Sequence, residues 1–250
     1  MCIFFCNFVG FLFMFTTRNM RNIAIILAGG SGTRVGGDTP KQFIQVARKQ
    51  IIEHSIEAFE RCERIDEICV VCREDYIAYM EKLVQKNGYA KVKKILSGGK
   101  ERYHSSVAAI QAYTDDDDNL LFHDAVRPMV SERIINDCID ALSRYNAVDV
   151  AVKTTDTIIA VDADGCITDI PDRACLRNVQ TPQGFKRGTI RLAYEKALAD
   201  PHLVTTDDCG TVRKYLPEEP IYVVEGENTN IKLTYREDLL LLDILLQKQP

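Results

Sequence analysis

Two fixed cations follow a glycine-rich turn early in the chain. Gly29, Gly30 and Gly32 come directly after the apolar run Ile23–Ala28, and Arg34 and Lys41 follow them. Glycines let backbone N–H groups approach a ligand, and the two cations can then meet negative charge. Pro40 stiffens the chain just before Lys41. The set suits the cradling of a polyphosphate, and equally a tight turn beside surface charge. Common phosphate motifs do not match. No Gly-Lys-Ser/Thr tripeptide follows the glycines, and the third glycine of a dinucleotide fingerprint is replaced by Val35.

More polar groups gather at the ends of other apolar runs. Gly98 and Gly99 lead into Lys100-Glu101-Arg102-Tyr103-His104-Ser105 and then a helical stretch. A helix N-terminus there favours anions or polar base edges. His123-Asp124-Ala125-Val126-Arg127-Pro128 ends the run Leu120–Phe122. Open α/β sheets bind ligands at such strand ends. Thr157, Arg173 and Lys232 lie in three further polar segments. Singly they read as a turn cap, a surface charge and a strand-edge lysine. Four adjacent aspartates, Asp115–Asp118, read as solvated surface. His54, His104 and His202 have no role legible in their surroundings.

The elements that must position these groups alternate. The unbroken apolar run at 23–28 predicts a strand buried on both faces, 67–72 reads as a second buried strand, and 92–96, 120–122 and 148–152 read as three more strands. Helical spacing covers 50–62, 75–87, the stretch to Tyr113, 132–145, 189–199 and 236–246, with a last strand at 222–224. Strands alternating with helices predict an α/β fold with a doubly wound, mainly parallel sheet. The alternation breaks at 158–170, where Asp164-Gly165 predicts a hairpin turn. This segment reads as a projecting β-arm spanning about 158–180.

Composition narrows the function classes. The net charge of −5 gives no support for nucleic-acid or anionic-membrane binding. Nine cysteines form no disulfide framework and fit a reduced, cytoplasmic protein. Cys69 and Cys72 have C-x-x-C spacing but sit inside a strand-like run, with no second Cys/His pair nearby. Cys2–Phe15 is almost wholly apolar with six phenylalanines. It is short for a membrane span of roughly 20 residues, and its cations come after it rather than before. Residues 1–19 are expected to be an extension outside a domain covering 20–250.

Eight segments together resemble the sugar-alcohol-phosphate cytidylyltransferases. In order they are LAGGSGTR (27–34), PKQF (40–43), GGKERYHS (98–105), HDAVRP (123–128), TTDT (154–157), IPDR (170–173), QTPQ (180–183) and NIKLT (230–234). The family acts on ribitol 5-phosphate or 2-C-methyl-D-erythritol 4-phosphate, the latter for isoprenoid biosynthesis. The resemblance covers about 22–247 and implies a Rossmann-like nucleotidyltransferase fold. It implies that CTP and Mg2+ react with a polyol phosphate, and that pyrophosphate leaves. Arg34, Lys41, Arg173 and Lys232 then match catalytic cations. Leu27, Ala28, Gly29, Gly30, Gly99, Arg102 and Ser105 match the CTP site. Asp124, Thr157, Arg173 and Lys232 match the acceptor side, with Asp124 also a candidate metal ligand. The arm is implied to reach a second subunit of a homodimer.

The spelling LAGG, the segment HDAVRP and Asn146–Asp149 lean toward ribitol 5-phosphate, with the methylerythritol phosphate as the alternative. A different class, a nucleotide-binding module without catalysis, would not need all four cations. Asp207 and Asp208 lie in a family-like segment without an assigned role.

Overall fold

The structure is a computed structural model, and it describes residues 20–30 and 39–248. Arg34 and residues 1–19 lie outside the described residues, with the expectations placed on them. The sheet starts from β1 (Asn22–Ala28), β4 (Glu67–Cys72), β5 (Val92–Ser97) and β6 (Asn119–Asp124). These pair in parallel in the order β6-β1-β4-β5. Between β1 and β4 lie a short 3-10 turn (Lys41–Phe43), the small hairpin β2 (Gln45–Val46)–β3 (Lys49–Gln50) and helix α1 (Ile51–Arg61). Helices α2 (Ile77–Asn87), α3 (Arg102–Gln111) and α4 (Glu132–Leu142) connect the strands that follow.

Period-two alternation sorts each strand onto two faces. Ala24, Ile26 and Ala28 of β1 join Ile68 and Val70 of β4 against Ile52, Ile56 and Phe59 of α1 and Ile135 of α4. Ile23 and Ile25 join Cys69, Val71 and Phe122 on the other face, against Ala109 and Ile110 of α3. Side chains are buried on both faces, which is why these strands read as continuous apolar runs. Each fully buried Ile or Phe adds about 1.5–3 kcal/mol over an exposed one.

The second half departs from strict alternation. β7 (Ala147–Lys153) is followed by the arm strands β8 (Ala160–Val161) and β9 (Ile167–Asp169). Then come β10 (Arg177–Val179) and β11 (Gln183–Lys186). β11 runs antiparallel between β6 and β7, and β10 pairs antiparallel with the far end of β7. α5 (Arg187–Leu198) and α6 (Asp208–Tyr215) cover the α3 face. β12 (Ile221–Glu225) adds in parallel to β7, and α7 (Asp238–Gln247) packs with the β2 hairpin. The sheet is therefore mainly parallel, with an antiparallel insertion that the apolar runs did not announce.

The arm is a hairpin whose residues are all exposed between Thr155 and Ile170. Gly165 takes φ 82 at its turn, a left-handed value that glycine adopts without strain. The Asp162 side chain accepts from the backbone N–H of Asp164 and Cys166 at 3.0 and 2.9 Å, closing the turn. No helix among the described residues is long and apolar enough to cross a membrane.

Candidate active site

The carboxyl ends of β1, β4, β5 and β6 open into one cleft of about 900 Å3. β1 delivers Leu27, Ala28, Gly29 and Gly30 to it. Gln42 Nε2 donates to the Ala28 carbonyl at 2.8 Å and holds the end of that strand. Lys41, on the same 3-10 turn, donates to the Leu233 carbonyl at 2.9 Å, so its ammonium is held between the first loop and the segment that carries Lys232.

The second glycine turn is a packing requirement. A Cβ on Gly99 would lie 2.5 Å from His104 Cβ, and one on Gly98 would lie 2.4 Å from Ser105 Oγ. A side chain at 99 would push on the first turn of α3, and one at 98 would displace the Ser105 hydroxyl. Glu101 N donates to His104 Nδ1 at 3.1 Å across that turn. The helix N-terminus is thereby held with Lys100, Glu101, Arg102 and Ser105 on the cleft wall.

Asp124, the last residue of β6, is the electrostatic hub. Lys232 Nζ is 2.7 Å from its Oδ2, Arg127 Nε is 3.7 Å from the same oxygen, and Arg102 Nε is 4.0 Å from Oδ1. Burial alone would raise this carboxyl; the charges of Lys232, Arg102 and Arg127 outweigh it and hold Asp124 well below the usual carboxylate range. It is an anion at any physiological pH. Its backbone N–H donates to Thr181 Oγ1 at 3.1 Å. Thr181 Oγ1 also meets His123 Nδ1 at 2.9 Å, and the other His123 nitrogen meets the Arg127 carbonyl at 3.0 Å. His123 is wholly buried, and burial pushes it down to about 4, so its ring is neutral. No histidine is among the described residues that line the cleft.

The expected residues thus divide. Leu27, Ala28, Gly29, Gly30, Lys41, Gly99, Arg102, Ser105, Asp124 and Lys232 share one cleft wall. Thr157 and Arg173 do not line it. Both are exposed on the arm, where Arg173 Nη1 donates to the Thr155 carbonyl at 2.8 Å. Two features in and behind the cleft wall had no role assigned from the sequence. Arg73 and Asp75, paired at 2.6 Å, follow β4 into the cleft. Asp208 stands behind Arg102, 2.7 Å from its Nη1. Charges directly after a buried strand were the available signal for the first; the second depends on a long-range contact.

Among the described residues no three His, Cys, Asp or Glu side chains converge as a metal site. A Mg2+ ion held by one carboxylate and substrate phosphates needs no such trio. The ionised Asp124 on the cleft wall fits that pattern.

A strand end, two glycine turns and converging cations describe many nucleotide sites, and comparison with known proteins decides among them. The family model described as IspD, 2-C-methyl-D-erythritol 4-phosphate cytidylyltransferase, matches residues 22–248. The chain belongs to this family. A curated relative with the family's name from Thermobifida fusca is 47% identical over 236 residues, covering 92% of this chain and 95% of its own. A bifunctional ribulose 5-phosphate reductase/CDP-ribitol pyrophosphorylase from Haemophilus influenzae is 44% identical over 232 residues. That match covers 92% of this chain but 49% of the relative. The crystal structure of the 4-diphosphocytidyl-2C-methyl-D-erythritol synthase of Anaerococcus prevotii matches with a TM-score of 0.80 and 31% identity. It covers 92% of this chain and 99% of that one. As a family member the chain is a CTP-dependent cytidylyltransferase, so the reading as a mere binding module is set aside.

Proposed function

We propose that this enzyme transfers CMP from CTP to 2-C-methyl-D-erythritol 4-phosphate. The observation that carries the reading is the convergence of Lys41, Arg102, Asp124 and Lys232 on one cleft, in a chain whose family model bears that substrate's name. A phosphate oxygen of the acceptor attacks the α-phosphorus of CTP. One P–O bond forms, the bond to the β-phosphate oxygen breaks, and pyrophosphate leaves with the electron pair. The nucleophile is already an anion, so no general base is required.

The work falls to alignment and charge. Gly29 and Gly30 take the triphosphate, and Lys41 and Arg34 meet the charge that builds on it in the transition state. Gly99, Arg102 and Ser105, at the N-terminus of α3, take the cytidine side. Lys232 leaves Asp124 for the acceptor phosphate, which competes for the same ammonium. Asp124 with triphosphate oxygens would hold Mg2+, which supplies neutralisation of the charge that builds on the leaving group.

Thr157 and Arg173 stand away from the cleft of their own chain, on an arm that exposes Ile158, Ile159, Val161, Ile167 and Ile170. Apolar side chains on an otherwise polar hairpin support a homodimer in which the arm completes the partner's acceptor site.

The leaning toward ribitol 5-phosphate has less behind it. Asp149 is buried and does not line the cleft; Leu27 and Val126 do, but the family model and the relative at 47% identity carry the name of the methylerythritol phosphate. The 44% identity to a CDP-ribitol pyrophosphorylase keeps that acceptor as the second reading. Steady-state kcat/KM for each acceptor at saturating CTP separates them. Preference for the methylerythritol phosphate is expected, and a higher value with ribitol 5-phosphate reverses the assignment.

A further inference from the structure

Arg102 enters the cleft from the start of α3 and is held from behind. Its Nη1 donates to Asp208 Oδ2 at 2.7 Å. Asp208 has no exposed surface and does not line the cleft. Its other oxygen, Oδ1, accepts from the hydroxyl of the buried Tyr194 on α5 at 2.6 Å. The backbone beneath it is fixed as well. Gln183 Oε1 accepts from the Asp208 N–H at 3.2 Å, and Gln183 Nε2 donates to Asp207 Oδ2 at 2.9 Å. Asp207 in turn caps α6, accepting from the Gly210 N–H at 2.6 Å.

A buried ion pair is a poor device for stability alone, because desolvation offsets most of its attraction. This pair is placed to do something else. Arg102 has a second carboxylate within reach, Asp124, whose Oδ1 is 4.0 Å from its Nε. Asp124 already carries Lys232 and Arg127. An arginine released from Asp208 would turn toward Asp124 and leave the cytidine side. We propose that Asp208, braced by Tyr194, is a positioning residue for CTP: it holds the Arg102 guanidinium on the nucleotide wall and away from Asp124. A side chain ordered in advance loses little freedom when the nucleotide arrives. The inference rests on the reading of Arg102 as a CTP contact.

The test is a double-mutant cycle on the full chain, with steady-state kinetics and thermal melts for Arg102→Ala, Asp208→Asn, the double variant and Tyr194→Phe. Asp208→Asn should raise KM for CTP by roughly ten- to a hundredfold, the range for losing a hydrogen bond to a charged group. kcat and the acceptor KM should change little. Tyr194→Phe should move the CTP KM in the same direction by a fewfold. In the Arg102→Ala background Asp208→Asn should add nothing. Full additivity would show that Asp208 acts independently of Arg102; the inference then falls while Arg102 keeps its CTP role. An Arg102→Ala enzyme with an unchanged CTP KM overturns both. A variant that melts early but keeps its CTP KM makes Asp208 structural only. Should Asp208→Asn fail to fold, the cycle of Tyr194→Phe with Arg102→Ala reads the same coupling.

Discussion

Replacing Lys232 with methionine separates the acceptor side of the cleft from the nucleotide side. The substitution keeps the stem and removes the ammonium 2.7 Å from Asp124 Oδ2. Two unit charges 4 Å apart attract by about 4 kcal/mol at an effective dielectric of 20. Lys232 is 39% exposed, however, and Arg127 and Arg102 remain 3.7 and 4.0 Å from Asp124. Solvent screening and the remaining cations reduce the stability cost to the order of 1 kcal/mol. The catalytic cost is larger. Losing one pre-organised contact to charge in the transition state removes about 10²–10³ in rate. The assay pairs a thermal melt and CTP calorimetry with turnover against acceptor concentration. A small loss in melting temperature, near-normal CTP affinity and a fall of about 10² in kcat/KM for the acceptor are expected. Unchanged use of the acceptor, or a loss confined to CTP binding, would refute the assignment of Lys232 to the acceptor phosphate.

Three other perturbations follow from the same geometry. Lys41→Ala should lower kcat by about 10²–10³ with little change in CTP affinity, and Lys41→Arg should rescue it poorly because the two cations differ in shape; rapid-quench turnover beside calorimetry reads the split, and a defect cured by saturating CTP would speak against it. Mixing Arg173→Ala subunits with Lys41→Ala subunits should restore part of the activity in verified heterodimers, since one of the two sites then holds both wild-type residues; no recovery would place each site within one chain. Burial and the nearby Asp207 push the Asp149 carboxyl up to about 6, above the roughly 3.9 of an unfolded aspartate. The folded state therefore holds that proton more tightly, so Asp149 costs stability above pH 6, and the cost fades as pH falls toward 4. Asp149→Asn should raise the melting temperature at pH 8, where the cost reaches at most about 3 kcal/mol. The gain should shrink by roughly half at pH 5, and a pH-independent difference would show that the charge is not the cause.

The parts of the molecule legible in the sequence are those fixed by local pattern. β1, β4 and β6 are buried on both faces and so appear as plain apolar runs. The glycine turns after β1 and β5 lie where those runs end, which is why most of the cleft could be named in advance. β11 was missed because its four residues include a glutamine and a glycine; Gln183 and Phe185 are buried by being inserted between β6 and β7. α6 was missed because Cys209 and Val212 are its buried apolar residues, too few for a helical stripe. Asp208 travels on that helix, so its contact with Arg102, 106 positions earlier, had no local signature. The arm was legible from its Asp-Gly turn, whereas its distance from the cleft of its own chain was not.

Phosphorus NMR of the purified enzyme with CTP, Mg2+ and 2-C-methyl-D-erythritol 4-phosphate follows the transfer itself. The CTP resonances should give way to a cytidine diphosphate diester and pyrophosphate in equal amounts, and Lys41→Ala should slow both together. Release of CMP with pyrophosphate, with the acceptor phosphate untouched, would mean that water rather than the acceptor is the nucleophile and would contradict the proposed transfer.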